Sequence, residues 1–145
     1  MCYTGYRIGE LKVIKTDLKK CFFSGGLKTR TSKDRIVPIH SPIYPIVKKR
    51  IRKYGEIMPL SDVKFRELMK PYIKSIGIGE HTPHDCRHTF SSLCEKYEVK
   101  ENDRKRMLGH KFMDVTNEVY GHRALEDLRT VSYTHLRAHE TDQYL

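Results

Sequence analysis

Residues 82–97 read TPHDCRHTFSSLCEKY. Pro83 belongs to a loop over 81–83, and from His84 to Tyr97 the apolar residues Phe90, Leu93 and Cys94 recur at helical spacing, so a helix with those three turned inward is expected. His84 and His88 are four apart and share a face, with Arg87 between them. The opening of this helix therefore sets a hydrogen-bonding guanidinium and two proton-exchanging imidazoles near a packing face.

Working outward from it, Ser61 and Asp62 offer an N-cap to VKFRELMKPYIKSIG (63–77), with Gly77 as a stop and Pro71 as a kink point. Pro42 and Pro45 suit a helix start, and IVKKRIRKY (46–54) continues it as a basic amphipathic helix. Residues 19–40 change character. Lys20 to Ser24 is a short β-prone run, Gly25-Gly26 is a turn signal, and Arg35 to Ile39 (RIVPI) is a second strand that Pro38 assigns to an edge. The polar LKTRTSKD (27–34) between them forms the tip of a hairpin. Residues 3–14 carry Ile8, Leu11 and Ile14 at helical spacing. Beyond the central helix, Glu101 to Leu108 is expected to be a short helix ended by Gly109, and Asp114 to Tyr120 another, broken at Gly121. Arg123 to Thr130 starts a last one. The fold class is α+β: a mostly helical domain with one small antiparallel sheet.

The chain has 145 residues, 38% hydrophobic and 32% charged, which suits one domain with a moderate core. No apolar run is long enough to span a bilayer and no export signal opens the chain, so no membrane partner is expected and the cytoplasm is the default compartment. The four cysteines, Cys2, Cys21, Cys86 and Cys94, lack CxxC spacing; buried small apolar residues are a simpler reading than a disulfide or zinc site. A formal charge of +10 makes nucleic acid the first partner to consider, since such a surface neutralises phosphates and releases counterions. A soluble lysine-rich or ribosomal protein has the same charge, which leaves that choice open.

Val131 to Thr141 coincides over eleven residues with the translation of a transposon-based sequencing adapter. Residues 131–145 are therefore expected to be read-through rather than native chain. Without Arg137, Glu140 and Asp142 the remainder is more basic still, at +11. Met1 also precedes what reads as mid-helix with no capping residue, so the chain is expected to be truncated at its N-terminus.

Six residues stand out for chemistry: Arg7, Lys28, His84, Arg87, His110 and Tyr120. Singly, each has an ordinary reading. Arg7 is a solvated helix charge, Lys28 a hairpin-tip lysine, His110 a helix-capping histidine and Tyr120 a core tyrosine. The His84–His88 pair suggests zinc, but it lacks a suitably placed acid and a third ligand. Together they occur in the ordered segments TGYRIGEL (4–11), GGLKTRTSKDRIVPI (25–39), TPHDCRHTF (82–90), MLGH (107–110) and VTNEVYGH (115–122). In that order and spacing the chain resembles the catalytic domain of the tyrosine recombinases, the phage-integrase family, over residues 1–130.

The resemblance implies site-specific recombination of double-stranded DNA through a 3′-phosphotyrosine, without ATP, metal or other cofactor. Arg7 and Arg87 would clamp the scissile phosphate, since guanidinium forks match phosphate oxygens and keep their charge. His84 would accept a proton and hydrogen-bond. Lys28 would be the general acid for the leaving 5′ oxygen, though Arg30 and Lys33 share its hairpin. His110 would bond a non-bridging oxygen, and Tyr120 would be the nucleophile. Glu10 would orient a catalytic side chain, or else form a surface ion pair with Arg7. The family further implies a homotetramer on paired sites and a bacterial or phage-encoded, nucleoid-associated protein.

Against the family pattern, the separate N-terminal DNA-binding domain and the first helix of the catalytic domain are missing, and the region between Leu18 and Gly25 is short. The polypeptide as written is therefore expected to be inactive by itself. Two rivals are a type IB topoisomerase-like enzyme, against which the brevity of the motifs argues, and a non-catalytic DNA-binding relic, against which the presence of all six residues argues.

Overall fold

A computed structural model of the chain describes residues 1–27, 33, 35–110 and 128. The expected α+β architecture is observed. Strands β1 (Lys15–Asp17), β2 (Phe22–Ser24) and β3 (Ile36–Pro38) form an antiparallel sheet in the order β1-β2-β3. Phe22 pairs with Pro38, Phe23 with Val37 and Ser24 with Ile36. The alternation of the pleat turns Phe23 and Val37 to the core, and Pro38 lies on an edge strand, as its missing N–H demands. β1 has no apolar alternation and was not expected. It is recruited by pairing with β2, and the Asp17 carboxylate shapes the turn between them by accepting from the Lys20 amide at 2.8 Å.

Helix α1 (Tyr44–Tyr54) follows a 3-10 turn at Ser41–Ile43 and buries Val47. Helix α2 (Asp62–Ser75) begins where the Ser61 hydroxyl accepts from the Lys64 amide at 3.1 Å, runs through Pro71, and buries none of its residues. Helix α3 (Asp85–Lys96) buries Phe90 and Cys94, while Leu93 is only half-buried. Helix α4 (Glu101–Leu108) ends at Gly109, whose φ of 66° is the left-handed cap. No helix among the described residues is long and apolar enough to cross a membrane. The expected helices at 114–120 and 123–130 fall among residues the structure does not describe as elements.

Two expectations fail. Residues 3–14 do not form a helix beyond the 3-10 turn Glu10–Lys12. The Thr4 and Gly5 amides fold back onto the Met1 carbonyl, and the Arg7 amide is taken by the Glu10 carboxylate at 2.9 Å, so a side chain displaces the helical bond. Of the cysteines only Cys94 is buried, which pushes its thiol up to about 11; Cys2, Cys21 and Cys86 are half-buried, and Cys2 and Cys86 share a thiol hydrogen bond.

The core joins sheet, N-terminal turns and helices through Tyr6, Leu11, Phe23, Val37, Ile39, Val47, Met58, Phe90, Cys94, Met107 and Leu108. Gly5 is its tightest backbone approach. At φ +62°, an added Cβ would lie 2.6 Å from Phe90 Cδ1 and 3.0 Å from Leu108 Cδ2. Gly5→Ala is expected to cost about 2–4 kcal/mol, combining left-handed strain with overpacking, as measured by urea unfolding.

Candidate active site

The last carbonyls of a helix have no partner within it and must be satisfied from outside. At the end of α4, the Leu108 carbonyl accepts from two arginines that come from distant parts of the chain. Arg35 Nη1 donates at 2.8 Å and Arg87 Nη2 at 2.5 Å. Arg87 Nη1 also donates to the Gly5 carbonyl at 2.5 Å, across 82 residues. Arg87 thus ties the first turn of the chain to the end of α4, while its own backbone is fixed in the first turn of α3.

The second guanidinium is held more tightly still. Arg35 Nη2 lies 2.6 Å from Glu10 Oε2, with both side chains at most 2% exposed. The Arg35 guanidinium sits 3.8 Å from the centroid of the Tyr6 ring, and burial pushes the Tyr6 phenol up to about 12, which keeps it neutral there. Glu10 Oε1 meets Arg7 Nη1 at 3.3 Å. Of the two readings of Glu10, the surface ion pair does not describe this geometry: the carboxylate is buried and bridges Arg7 to Arg35.

Electrostatically the cluster is out of balance. Among the described residues, the Glu10 carboxylate pairs with Arg7 and Arg35, and Arg87 feels its charge as well as theirs. Burial, followed by the charges of Arg7 and Arg35, pulls the Arg87 guanidinium down to about 10, still protonated at neutral pH. His110, exposed two residues after Leu108, is held below the ordinary imidazole value, first by partial desolvation and then by Arg87, Arg7, Arg104 and Arg35. A neutral imidazole beside clustered guanidiniums leaves a patch with positive charge to spare and one proton acceptor. Arg7, with its side chain one-third exposed, presents that charge to solvent. Such a patch suits an oxyanion with several acceptor oxygens, such as a phosphate.

Of the residues singled out from sequence, the structure brings Arg7, Arg87, His110 and Glu10 together. His84 stands at the N-cap of α3, exposed, with its ring edge-on to His88 at 4.8 Å. Its backbone carbonyl accepts from the Arg87 amide at 2.9 Å. The loop before it is pinned by the Asp85 carboxylate, which accepts from the Thr82 amide at 2.7 Å; this bond holds Asp85 below its ordinary value. The His84–His88 pair gains no third His, Cys, Asp or Glu that would make a metal cluster among the described residues. Lys28 and Tyr120 lie outside the described residues. Sequence reasoning missed Arg35. Its only signal was a charged residue heading the apolar run RIVPI, and charge at a strand end ordinarily means solvent.

No family model and no curated protein matches the chain. Among solved structures it is similar to XerA recombinase, with 21% sequence identity and a TM-score of 0.58 over 99% of this chain and 54% of that one. The chain thus spans about half the length of the structure it matches. At this identity the likeness establishes the fold, which is that of a tyrosine recombinase.

The lowered His110 value has a stability consequence of definite sign. Between the folded value and the ordinary one near 6.5, the unfolded chain binds a proton that the folded chain does not. Stability should therefore rise with pH through this window and fall as pH drops below 6.5. Ring NMR of His110 should give the lowered value, and His110→Gln should flatten this part of the stability–pH curve.

Proposed function

We propose that residues 1–130 belong to the catalytic domain of a tyrosine recombinase, which breaks and rejoins double-stranded DNA through a 3′-phosphotyrosine. The observation that carries this reading is the convergence of Arg7, Arg87 and His110 at the end of α4, within a recombinase fold and a chain of charge +10. A phosphodiester approaching there would meet the partly exposed Arg7 first and the buried Arg87 behind it. In-line attack on its phosphorus needs charge neutralisation of that kind, arranged before the substrate arrives.

In the proposed reaction the Tyr120 oxygen bonds to phosphorus as the bond to the 5′ oxygen breaks. The tyrosine proton passes to His84, and Lys28 supplies a proton to the departing 5′ oxygen. His110 donates to a non-bridging oxygen while Arg7 and Arg87 hold the same phosphate. Reversal with another 5′ hydroxyl reseals the strand, and because the phosphotyrosine conserves the bond, no ATP or metal enters the balance. Glu10 serves by orienting Arg7. Double-stranded DNA is the substrate, a homotetramer on paired sites the assembly, and the cytoplasmic nucleoid the setting. Residues 131–145 are assigned to adapter read-through and given no role.

One observation favours a second reading, a DNA-binding module that does not cut. Two of the five Arg87 donors are engaged by backbone carbonyls, and the residue is only 5% exposed.

The two readings part on a single experiment. The chain, extended to its full reading frame, is incubated with a nicked duplex selected from a random pool for binding, and SDS-stable protein–DNA adduct is measured. The recombinase reading expects an adduct that Tyr120→Phe abolishes. Arg7→Ala, which leaves the buried bonds of Arg87 intact, should reduce adduct formation by about 100-fold or more. Tight binding with no adduct selects the second reading, and an adduct that survives Tyr120→Phe rejects Tyr120 as nucleophile.

A further inference from the structure

We propose that Arg35 is a positioning residue that fixes how far Arg7 stands from His110, and with it the shape of the phosphate site. The proposal rests on the reading of that site given above. With a side chain 1% exposed, Arg35 cannot itself reach a substrate. What it can do is act as a strut. One arm of its fork donates to the Leu108 carbonyl at 2.8 Å and the other to Glu10 Oε2 at 2.6 Å, while the Tyr6 ring supports its plane.

Each end of that strut carries a group of the site. Glu10 holds Arg7 twice, through Nη1 at 3.3 Å and through its backbone amide at 2.9 Å. Leu108 precedes His110 by two residues, and between them Gly109 is fixed at φ 66° with its own amide bonded back into α4. A third attachment comes from the Arg35 backbone, whose carbonyl accepts from the Gly25 amide at 3.1 Å and closes the neck of the hairpin. The hairpin neck, Arg7 and the His110 turn are therefore referred to one residue.

Only arginine serves this purpose. Two acceptors in different directions need a planar fork, whereas a lysine ammonium on a flexible stem satisfies one at a time without fixing the angle between them. Net stability is a weak reason for such a group, because a buried ion pair is often no better than a hydrophobic packing of the same volume. The geometry it imposes is the more economical explanation.

The test compares Arg35→Lys with the parent by two readouts, one of which does not depend on the function. The first is the His110 titration by ring NMR. Arg35→Lys keeps the charge, so a rise of the His110 value toward the ordinary 6.5 reports release of the turn rather than loss of a neighbouring cation. The second is adduct formation on the selected nicked duplex. Mispositioning should lower the rate at saturating DNA by about 10- to 100-fold while the affinity for the duplex stays within about threefold. A variant that merely loosened the core would instead melt earlier and leave the His110 value and the saturated rate of the folded fraction in place. A folded Arg35→Lys with parental His110 titration and parental rate overturns the proposal. Should Arg35→Lys not fold, Glu10→Asp keeps the charge while shortening the other end of the strut, and the same two readouts decide. If the parent forms no adduct, the recombinase reading fails, and the His110 titration still judges Arg35.

Discussion

The end of α4 presents a buried carbonyl that its own helix cannot satisfy, and two guanidiniums answer it. Most of what is specific in this molecule follows from that arrangement. A buried cation must find acceptors for its remaining donors and a counter-charge within reach. Arg87 therefore reaches to the Gly5 carbonyl, and Arg35 to the Glu10 carboxylate. Gly5 must come so close to Phe90 that a side chain has no room, and Glu10 must turn inward from a segment whose spacing suits a surface helix. The N-terminal turns are shaped by these demands more than by any local preference.

Among the described residues, three guanidiniums gathered about the Glu10 carboxylate would be a poor way to stabilise a core. Folding the chain brings like charges together that an anion would relieve; burial first, and the neighbouring guanidiniums after it, lower the Arg87 and His110 values. Binding a phosphate there would lower the free energy of the folded state and fill the acceptor deficit at the same time. Local inconsistency of this kind is where function ordinarily resides.

How legible this was in the sequence depended on the range of the interaction. Elements whose signals are local were readable to within a residue or two: Ser61 caps α2, Gly109 ends α4, and Pro38 keeps β3 at an edge. What failed had distant causes. β1 exists because β2 offers it a partner, and nothing in Lys15–Asp17 announces a strand. Residues 3–14 have helical spacing, but the Glu10 carboxylate competes for the Arg7 amide and Arg87 claims the Gly5 carbonyl from α3. Arg7, Arg87 and His110 were visible as chemical types in a familiar order. Arg35 was not, because only the fold reveals that a charge at the head of a strand points into the core.

The bond between Arg87 and the Gly5 carbonyl spans 82 residues, and that between Arg35 and the Leu108 carbonyl spans 73. On a ribosome moving at about 5–20 residues per second, Gly5 would wait about 4–16 s for Arg87 to be made. Throughout that interval the first turns hold a glycine hinge and a carboxylate whose partners from α3 and α4 have not yet been synthesised. The sheet can pair early, but the cationic cluster is assembled only once α4 has been added. A nascent chain of this protein therefore acquires its anion-binding patch late in synthesis, after most of its basic residues have already emerged.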